Sequence, residues 1–179
     1  MFFNNILAIA QRFMNSKFLP IFYGLLTIFI FAIIIAITKI NGYGLTYQAT
    51  ASMPRGFYLL LPINKIQRGD IVTFIPPEKS RAFLKERHWA PRSGILMKYV
   101  VGMPGDTVCA ENNKLWLNHK PIANIYKFYA PNKALPQQNF CGELNKEQYF
   151  LININIPHSF DSRYFGPIDK KSILHRAIQ

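Results

Sequence analysis

One long apolar run near the start of the chain constrains the fold more than any other feature. Residues 21–37 read IFYGLLTIFIFAIIIAI, seventeen positions without a charge. With its uncharged neighbours the run reaches about twenty residues, enough for a helix to cross a hydrocarbon core of ~30 Å. A buried helix that is apolar on every side would be unusual in a chain of 179 residues. The run therefore predicts a transmembrane anchor over residues 19–38, between a short segment 1–18 and a folded domain over residues 39–179.

A cleaved signal peptide is the nearest alternative for this run. Its apolar stretch is normally 7–15 residues long and ends at a small-x-small site. Here the run is longer and leads into residues 38–41, TKIN, which offer no such site. Arg12 and Lys17 precede the run, and the first acidic residue is Asp70. The positive-inside rule then predicts an uncleaved anchor with its N-terminus in the cytoplasm and residues 39–179 outside.

Composition excludes several classes of protein. Half of the residues are hydrophobic, so disorder does not describe the chain. Two cysteines are too few for a dense disulfide scaffold or a four-cysteine zinc site. The histidines are scattered without a metal-ligand spacing, and we expect neither a metal site nor a cofactor. These histidines are His88, His119, His158 and His175.

The chain is strongly basic, with 21 Lys and Arg against 9 Asp and Glu and a formal net charge of +12. Such a surplus suits an anionic partner, either nucleic acid or acidic phospholipid headgroups. Five of the basic residues lie in residues 79–92. An exported, membrane-tethered position argues against nucleic acid, so the interpretations left open for this segment are contact with anionic lipids or a solvated face.

After residue 39 the sequence changes to short apolar runs separated by Pro, Gly and Asn, a pattern typical of β structure. We expect a single all-β domain with one basic helix, Glu78–Trp89. Turn residues separate the strands at residues 68–70 and 104–106, and residues 115–122 are expected to form a hairpin. The predicted strands are Phe57–Leu61, Ile71–Ile75, Ile95–Val101, Thr107–Ala110, Lys114–Leu117 and Tyr149–Asn153.

Ser52 lies in a segment whose backbone is restricted. Pro54 disfavours the helical conformation for Met53, and Gly56 permits a sharp turn. Ser52 is therefore expected on a rigid, non-helical piece of chain. By itself, this pattern is more typical of an ordinary loop serine.

Lys98 is the single charge in the predicted apolar strand Ile95–Val101, ILMKYVV. A lysine on a buried strand loses hydration, which lowers its pKa and allows a neutral amine to accept a proton. A serine hydroxyl needs such a base, because it is a poor nucleophile at neutral pH. The alternative is an edge-strand lysine that reaches solvent.

Three stretches together suggest a family. SMP at 52–54, KYVVGMPGD at 98–106 and SFDSRYFGP at 159–167 occur in this order behind the anchor. The sequence thereby resembles the type I signal peptidase family (peptidase S26), membrane-anchored serine proteases with a Ser/Lys dyad. The resemblance implies a mainly antiparallel β domain and a position in the inner membrane, with the C-terminal domain in the periplasm.

The resemblance also implies roles for individual residues. Ser52 matches the nucleophile and Lys98 the general base. Thr50 matches a residue whose hydroxyl forms the oxyanion hole together with the backbone N–H of Ser52. Ser159 matches a serine that orients the lysine amine, and the pair Asp161 and Arg163 matches residues that brace the site.

Within the family, Pro54 directly after Met53, the compact length and FCGEL at 140–144 resemble the conjugative-transfer (TraF) branch. That branch processes exported pilin precursors, by cleavage and in part by joining the pilin ends. The expected partners are thus an exported precursor and membrane lipids, without nucleic acid. The alternatives are a general signal peptidase and a non-catalytic assembly component of a conjugation or secretion channel.

Cys109 and Cys141 lie in the part of the chain that is expected outside the cytoplasm. An oxidising compartment favours a structural disulfide between them. Two free buried thiols are the alternative.

Overall fold

The computed structural model describes residues 19–89, 91 and 93–179. The chain forms two units, the first ending at Asn41 and the second comprising Gly42–Gln179. The predicted cytoplasmic segment 1–18 lies outside the described residues, as do two positions of the basic segment.

The first unit contains helix α1, Leu19–Ile40, of 22 residues and thus about 33 Å long. None of its residues is buried. Its polar side chains bond within the helix, Thr27 Oγ1 to the Gly24 carbonyl at 2.8 Å and Thr38 Oγ1 to the Ile35 carbonyl at 2.9 Å. By length and composition α1 can cross a membrane. It covers the predicted anchor and continues for two further residues.

The second unit is built from β-strands, and every strand pairing among the described residues is antiparallel. This confirms the predicted antiparallel all-β domain behind one N-terminal apolar helix. The strands are β1 Gly44–Gln48, β2 Gly56–Leu61, β3 Ile71–Phe74, β4 Leu96–Gly102, β5 Thr107–Glu111, β6 Lys114–Leu117, β7 Lys120–Asn124, β8 Phe128–Ala130, β9 Lys133–Ala134, β10 Cys141–Glu143, β11 Gln148–Ile152, β12 Ile168–Asp169 and β13 Ile173–Ile178. The helices are α2 Glu78–Glu86 and α3 Ser162–Phe165, with a 3₁₀ turn at Lys170–Ser172.

The larger sheet has seven strands in the order β1-β2-β13-β3-β4-β11-β12, and a four-stranded sheet has the order β10-β5-β6-β7. The last strand in sequence, β13, lies between β2 and β3 and pairs with both. Strand β4, which carries Lys98, lies between β3 and β11. The larger sheet therefore brings residues from the start, middle and end of the domain into neighbouring strands.

Two groups of apolar side chains stabilise the unit. The larger group includes Val72, Phe74, Val100, Leu115 and Leu151, all with at most 1% of their surface exposed. The smaller group surrounds the start of β2 and consists of buried Met53, Tyr58, Met97 and Ala177. Burial of this kind contributes about 25 cal/mol per Å² of apolar surface.

The predicted helix Glu78–Trp89 is wrong at its C-terminal end, since α2 ends at Glu86. His88 has a left-handed backbone with φ 57°, and the Trp89 N–H donates to the Leu84 carbonyl at 2.8 Å. The basic segment is also less uniformly solvated than its charge suggests. The Arg87 guanidinium lies over the rings of Phe83 and Tyr129, at 5.0 and 5.3 Å from their centroids.

The four-stranded sheet carries a disulfide. Cys109 on β5 and Cys141 on β10 are direct partners in the strand register and are joined by their sulfurs. The expected hairpin at residues 115–122 forms from β6 and β7. Its two turn residues, Asn118 and His119, both have positive φ, 49° and 64°, so His119 adopts the conformation for which glycine is usual.

Candidate active site

Ser52 lies in the irregular segment between β1 and β2, and its neighbour anchors that segment. Met53 has 1% of its surface exposed and packs with Tyr58 and Met97. Gly56 ends the segment with φ 147°, and a Cβ at this position would lie 2.8 Å from Gln179 Nε2. The sequence around Ser52 thus supplies one buried side chain and one position that requires glycine, which together determine the path of the backbone.

Two carbonyl groups that follow Ser52 are held by side chains. The Tyr58 hydroxyl donates to the Pro54 carbonyl at 2.8 Å, and Gln179 Nε2 donates to the Arg55 carbonyl at 3.2 Å. Burial, with a smaller contribution from Tyr99, raises the pKa of Tyr58, so its hydroxyl keeps the proton that it donates.

Thr50 lies beside the Ser52 hydroxyl. The distance from Thr50 Oγ1 to Ser52 Oγ is 3.0 Å. Gln48 Nε2 donates to Thr50 Oγ1 at 2.6 Å and to the Thr50 carbonyl at 3.1 Å. Since the Thr50 oxygen accepts from Gln48, the Thr50 hydroxyl proton is available as a donor at Ser52.

Lys98 is buried in the middle of the larger sheet, opposite Val72 in the register of β3 and β4. Only 2% of its surface is exposed. Burial lowers the pKa of Lys98 to about 8; the nearby Asp161 charge opposes this shift and the Arg163 charge adds to it. Among the described residues its amine makes no hydrogen bond to Ser52 Oγ. Catalytic hydrogen bonds are often loose before substrate binds.

Asp161 and Arg163 form a buried ion pair next to Lys98. Arg163 Nε donates to Asp161 Oδ1 and an Arg163 terminal nitrogen donates to Oδ2, both at 2.8 Å. Burial disfavours the charge of Arg163, but the bonds and charge of Asp161 outweigh it and raise the pKa of Arg163. The same guanidinium donates to the carbonyl groups of Asn124, Asn153, Ile156, Pro157 and Ser159.

Ser159 is buried beside this pair. Its carbonyl accepts from Arg163 at 3.2 Å. In the part of the chain that the structure describes, its hydroxyl oxygen is buried without a hydrogen-bond partner. The role expected for it, that of orienting the Lys98 amine, remains a prediction.

Asn153 links the Ser52 segment to the ion pair, and the sequence did not single it out. It follows β11 directly, and its Nδ2 donates to the Ser52 carbonyl at 2.9 Å. Its backbone N–H donates to Asp161 Oδ2 at 3.2 Å. A buried asparagine at the end of an apolar strand is a weak sequence signal, because asparagine is also common in turns. Sequence reasoning also missed Gln48, the last residue of β1. A glutamine at the end of a strand is likewise a weak sequence signal.

The residues proposed from the sequence thus fall into two places. Hydrogen bonds and charges link one set through Asn153, and its members are Ser52, Thr50, Lys98, Ser159, Asp161 and Arg163. Cys109 and Cys141 lie in the four-stranded sheet. A profile of the signal peptidase family, peptidase S26, matches residues 19–179. This chain belongs to the signal peptidase family.

Relatives within the family carry two kinds of name. The chain is 29% identical to "Signal peptidase I V" of Bacillus subtilis over 119 residues, 61% of this chain and 62% of that protein. It is 27% identical to "Plasmid transfer protein TraF" of Escherichia coli over 145 residues, 74% of this chain and 81% of that protein. A "Probable conjugal transfer protein TraF" of Sinorhizobium fredii is 26% identical and matches over 87% of this chain and 86% of its own length.

Among solved structures, a signal peptidase I from Enterococcus faecalis is 26% identical. The match covers 64% of this chain and 97% of the other, with a TM-score of 0.37. Against three signal peptidase I relatives, the chain spans 62%, 52% and 46% of their length. Family membership and the apolar helix α1 together indicate a membrane-anchored protein of the signal peptidase type.

Proposed function

We propose that this protein is a membrane-anchored serine endopeptidase in which Ser52 is the nucleophile and Lys98 the general base. The observation that carries the proposal is a lysine with 2% exposure and a pKa lowered to about 8 within the field of Asp161, the residue to which Asn153 links the Ser52 segment. A lysine with a purely structural role would not stabilise the fold from this position. Burial of its charge is unfavourable, and little here offsets that cost. A lysine that must be neutral to accept a proton requires such a position.

The first step is acylation. Ser52 Oγ attacks the carbonyl carbon of the scissile peptide bond while the neutral Lys98 amine accepts the hydroxyl proton. The Ser52 N–H and the Thr50 hydroxyl donate to the oxyanion of the tetrahedral intermediate. The C–N bond then breaks, and the Lys98 ammonium returns its proton to the leaving amine.

The second step releases the acyl group from Ser52. Water attacks the ester carbon while Lys98 accepts its proton. The bond to Ser52 Oγ then breaks, Lys98 returns the proton to Oγ, and the product leaves as a free carboxylate. Attack of an amine of the same substrate instead gives a new peptide bond and a cyclic product. Both outcomes share the acylation step, so the site is compatible with either.

We place the catalytic domain in the periplasm of a bacterial cell, anchored by α1 in the inner membrane. The support is the basic N-terminal segment, which favours the cytoplasmic side, and the disulfide between Cys109 and Cys141, which favours an oxidising compartment. In this position the domain can reach membrane lipids and exported precursors but not nucleic acid.

The proposed substrate is an exported precursor, specifically a conjugative pilin. In support, the conjugal-transfer relatives match over 79–86% of their own length, whereas three signal peptidase I relatives match over 46–62% of theirs. The direct Ser52-Met53-Pro54 sequence is the second argument. The substrate is expected to have small residues before the scissile bond.

Strand β1 suggests how the substrate binds. It forms an edge of the seven-stranded sheet and ends at Gln48, four residues before Ser52. An extended peptide can pair with such an edge, with its backbone supplying the affinity and small pockets selecting the side chains. We therefore propose substrate addition alongside β1.

The test is co-expression of the full chain with the candidate pilin precursor and measurement of the intact mass of the pilin. The variants are Ser52→Ala and Lys98→Ala, with exposed Lys65→Ala as the matched control. Processing by wild type and Lys65→Ala only is the expected result. A further loss of about 18 Da, one water, would identify cyclisation.

The alternative functions predict different experimental results. A general signal peptidase would process unrelated secreted precursors and support growth of a strain depleted of its own enzyme. A non-catalytic assembly component would bind pilin equally well with Ser52→Ala and leave its mass unchanged in every strain. Identical pilin masses with all four proteins would rule out pilin processing.

A further inference from the structure

The Ser52 segment is held mainly by side chains rather than by a strand ladder. It lies between the last residue of β1 and the first of β2, outside both. Pro54 lacks a backbone N–H and so cannot continue a ladder. The carbonyl of Ser52 itself accepts from a side chain that lies 101 residues away in sequence, that of Asn153.

The Asn153 amide has a defined orientation. Its Oδ1 accepts the backbone N–H of Asn155 at 3.1 Å, so Nδ2 is the atom that faces Ser52. A flipped amide would place oxygen against the Ser52 carbonyl oxygen and nitrogen against the Asn155 N–H. Nδ2 also lies 3.6 Å from the sulfur of buried Met53. With 2% of its surface exposed, Asn153 has little access to water as an alternative partner.

The backbone of Asn153 faces the opposite direction, toward the charged pair. Its N–H donates to Asp161 Oδ2 at 3.2 Å, and its carbonyl accepts from Arg163 at 3.3 Å. Burial lowers the pKa of Lys98, and the charges of these two residues act on it in opposite directions, Asp161 raising it and Arg163 lowering it. One residue therefore connects the peptide group of Ser52 to the surroundings of Lys98.

We propose that Asn153 is a positioning residue for Ser52, and this inference rests on the proposed function. By holding the Ser52 carbonyl, Asn153 determines the rotation of the adjoining peptide and thus the direction of Oγ relative to Lys98. Displacement of a reacting group by about 1 Å can lower the rate on the order of 100-fold. Asn153 acts through Ser52 and contacts neither the scissile bond nor the transferred proton.

The test uses the purified full chain in detergent micelles and a peptide with small residues before the scissile bond. Asn153→Asp keeps the shape of the side chain but replaces the donor with an acceptor. Asn153→Ala removes the donor without adding a charge. Asn155→Asp is the matched control, because Asn155 is exposed and takes part through its backbone N–H. Folding of each variant is checked by circular dichroism.

We expect kcat to fall on the order of 100-fold in both Asn153 variants, with KM within about threefold of wild type. A peptide aldehyde, which adds to a serine hydroxyl and imitates the tetrahedral intermediate, should lose affinity by the same factor as kcat/KM. The control should match wild type. A purely structural role would instead lower the folded fraction and leave the kcat of the remaining folded enzyme unchanged.

Several outcomes would overturn the inference. These are a changed KM with unchanged kcat, equal losses in the Asn153 and Asn155 variants, or failure of both Asn153 variants to fold. If wild type cleaves the peptide, Ser52→Ala does not and Asn153→Asp equals wild type, then only this inference fails. If wild type itself cleaves nothing, the proposed function fails.

Discussion

Asp161 and Arg163, two positions apart in sequence, form a two-point ion pair in which 0% and 1% of the side-chain surfaces are exposed. Such a pair is stable in the interior only when both charges are present, since removal of one leaves the other buried and unpaired. Burial chiefly lowers the pKa of Lys98, and because Lys98 lies within the field of both residues, their charges shift that pKa further in opposite directions.

The first prediction concerns the pH profile of kcat/KM. In wild type, kcat/KM should rise with pH around the Lys98 pKa of about 8, because the neutral amine is the proposed base. Asp161→Asn removes the charge that raises this pKa, so the rise should move to lower pH. Arg163→Met removes the charge that lowers it, so the rise should move to higher pH. Peptide cleavage between pH 6 and 10 measures both shifts.

Arg163→Lys is the control for this comparison, since it keeps the positive charge and should leave the midpoint near that of wild type. Asp161→Asn and Arg163→Met should each also lose about 3–5 kcal/mol of stability, so the profiles are best recorded at low temperature. Shifts of both variants in the same direction would contradict the electrostatic account.

A second prediction concerns stability. The Lys98 pKa is about 8 in the folded chain against 10.5 ordinarily. Between these pH values the unfolded state binds more protons, so the contribution of Lys98 to stability rises with pH. The free energy of unfolding of wild type minus that of Lys98→Met should increase by about 3 kcal/mol from pH 7 to pH 11. Urea unfolding in micelles measures it. The exposed Lys65→Met should show no such slope.

The third prediction concerns the donor beside Ser52. Thr50→Val should lower kcat on the order of 100-fold, because one proposed oxyanion donor is lost. Thr50→Ser keeps the hydroxyl and should remain close to wild type. Gln48→Leu should lower kcat by roughly tenfold. In a chain that already carries Thr50→Val, the same change should lower kcat almost no further, since Gln48 acts through Thr50. Additive losses in the double variant would show that Gln48 acts independently.

The fourth prediction concerns the disulfide. Replacement of both Cys109 and Cys141 by Ser should lower the free energy of unfolding by about 3–4 kcal/mol, the loop-closure value for a separation of 32 residues. Reduced wild type should lose a similar amount, whereas the double variant should not respond to reductant. Since the bridge lies in the four-stranded sheet, kcat should change less than threefold while the fold is retained. A large loss of kcat would contradict the expectation that the disulfide stabilises the fold without contributing to catalysis.

Local patterns in the sequence predicted much of this protein. Continuous apolarity predicted the helix α1, and apolar runs between turn residues predicted six of the strands within one or two residues of their ends. These features depend on neighbours in sequence, which hydropathy and turn chemistry describe well. Resemblance to a family supplied the roles proposed for Ser52 and Lys98, and spacing alone would not have paired them.

Other elements were not predictable in this way. Strand β13, ILHRAI, has no clear alternation, and it forms because β2 and β3 offer edges on both sides. The end of α2 was misplaced because His88 adopts a left-handed backbone, φ 57°, directly after Arg87, whose NH1 lies 2.6 Å from the Tyr129 hydroxyl. In both cases a contact distant in sequence outweighs the local preference.

The sequence by itself therefore determined the apolar helix and the β character of the domain, and it singled out the side chains that are proposed to react, because each depends on a short stretch of chain. Only the tertiary structure decided which groups surround those side chains. The partners of Ser52 are Asn153 and Thr50, and the charges near Lys98 belong to Asp161 and Arg163. A pKa and a hydroxyl direction depend on burial and on atoms a few ångströms away, and the folding of strands from distant parts of the sequence brings those atoms together.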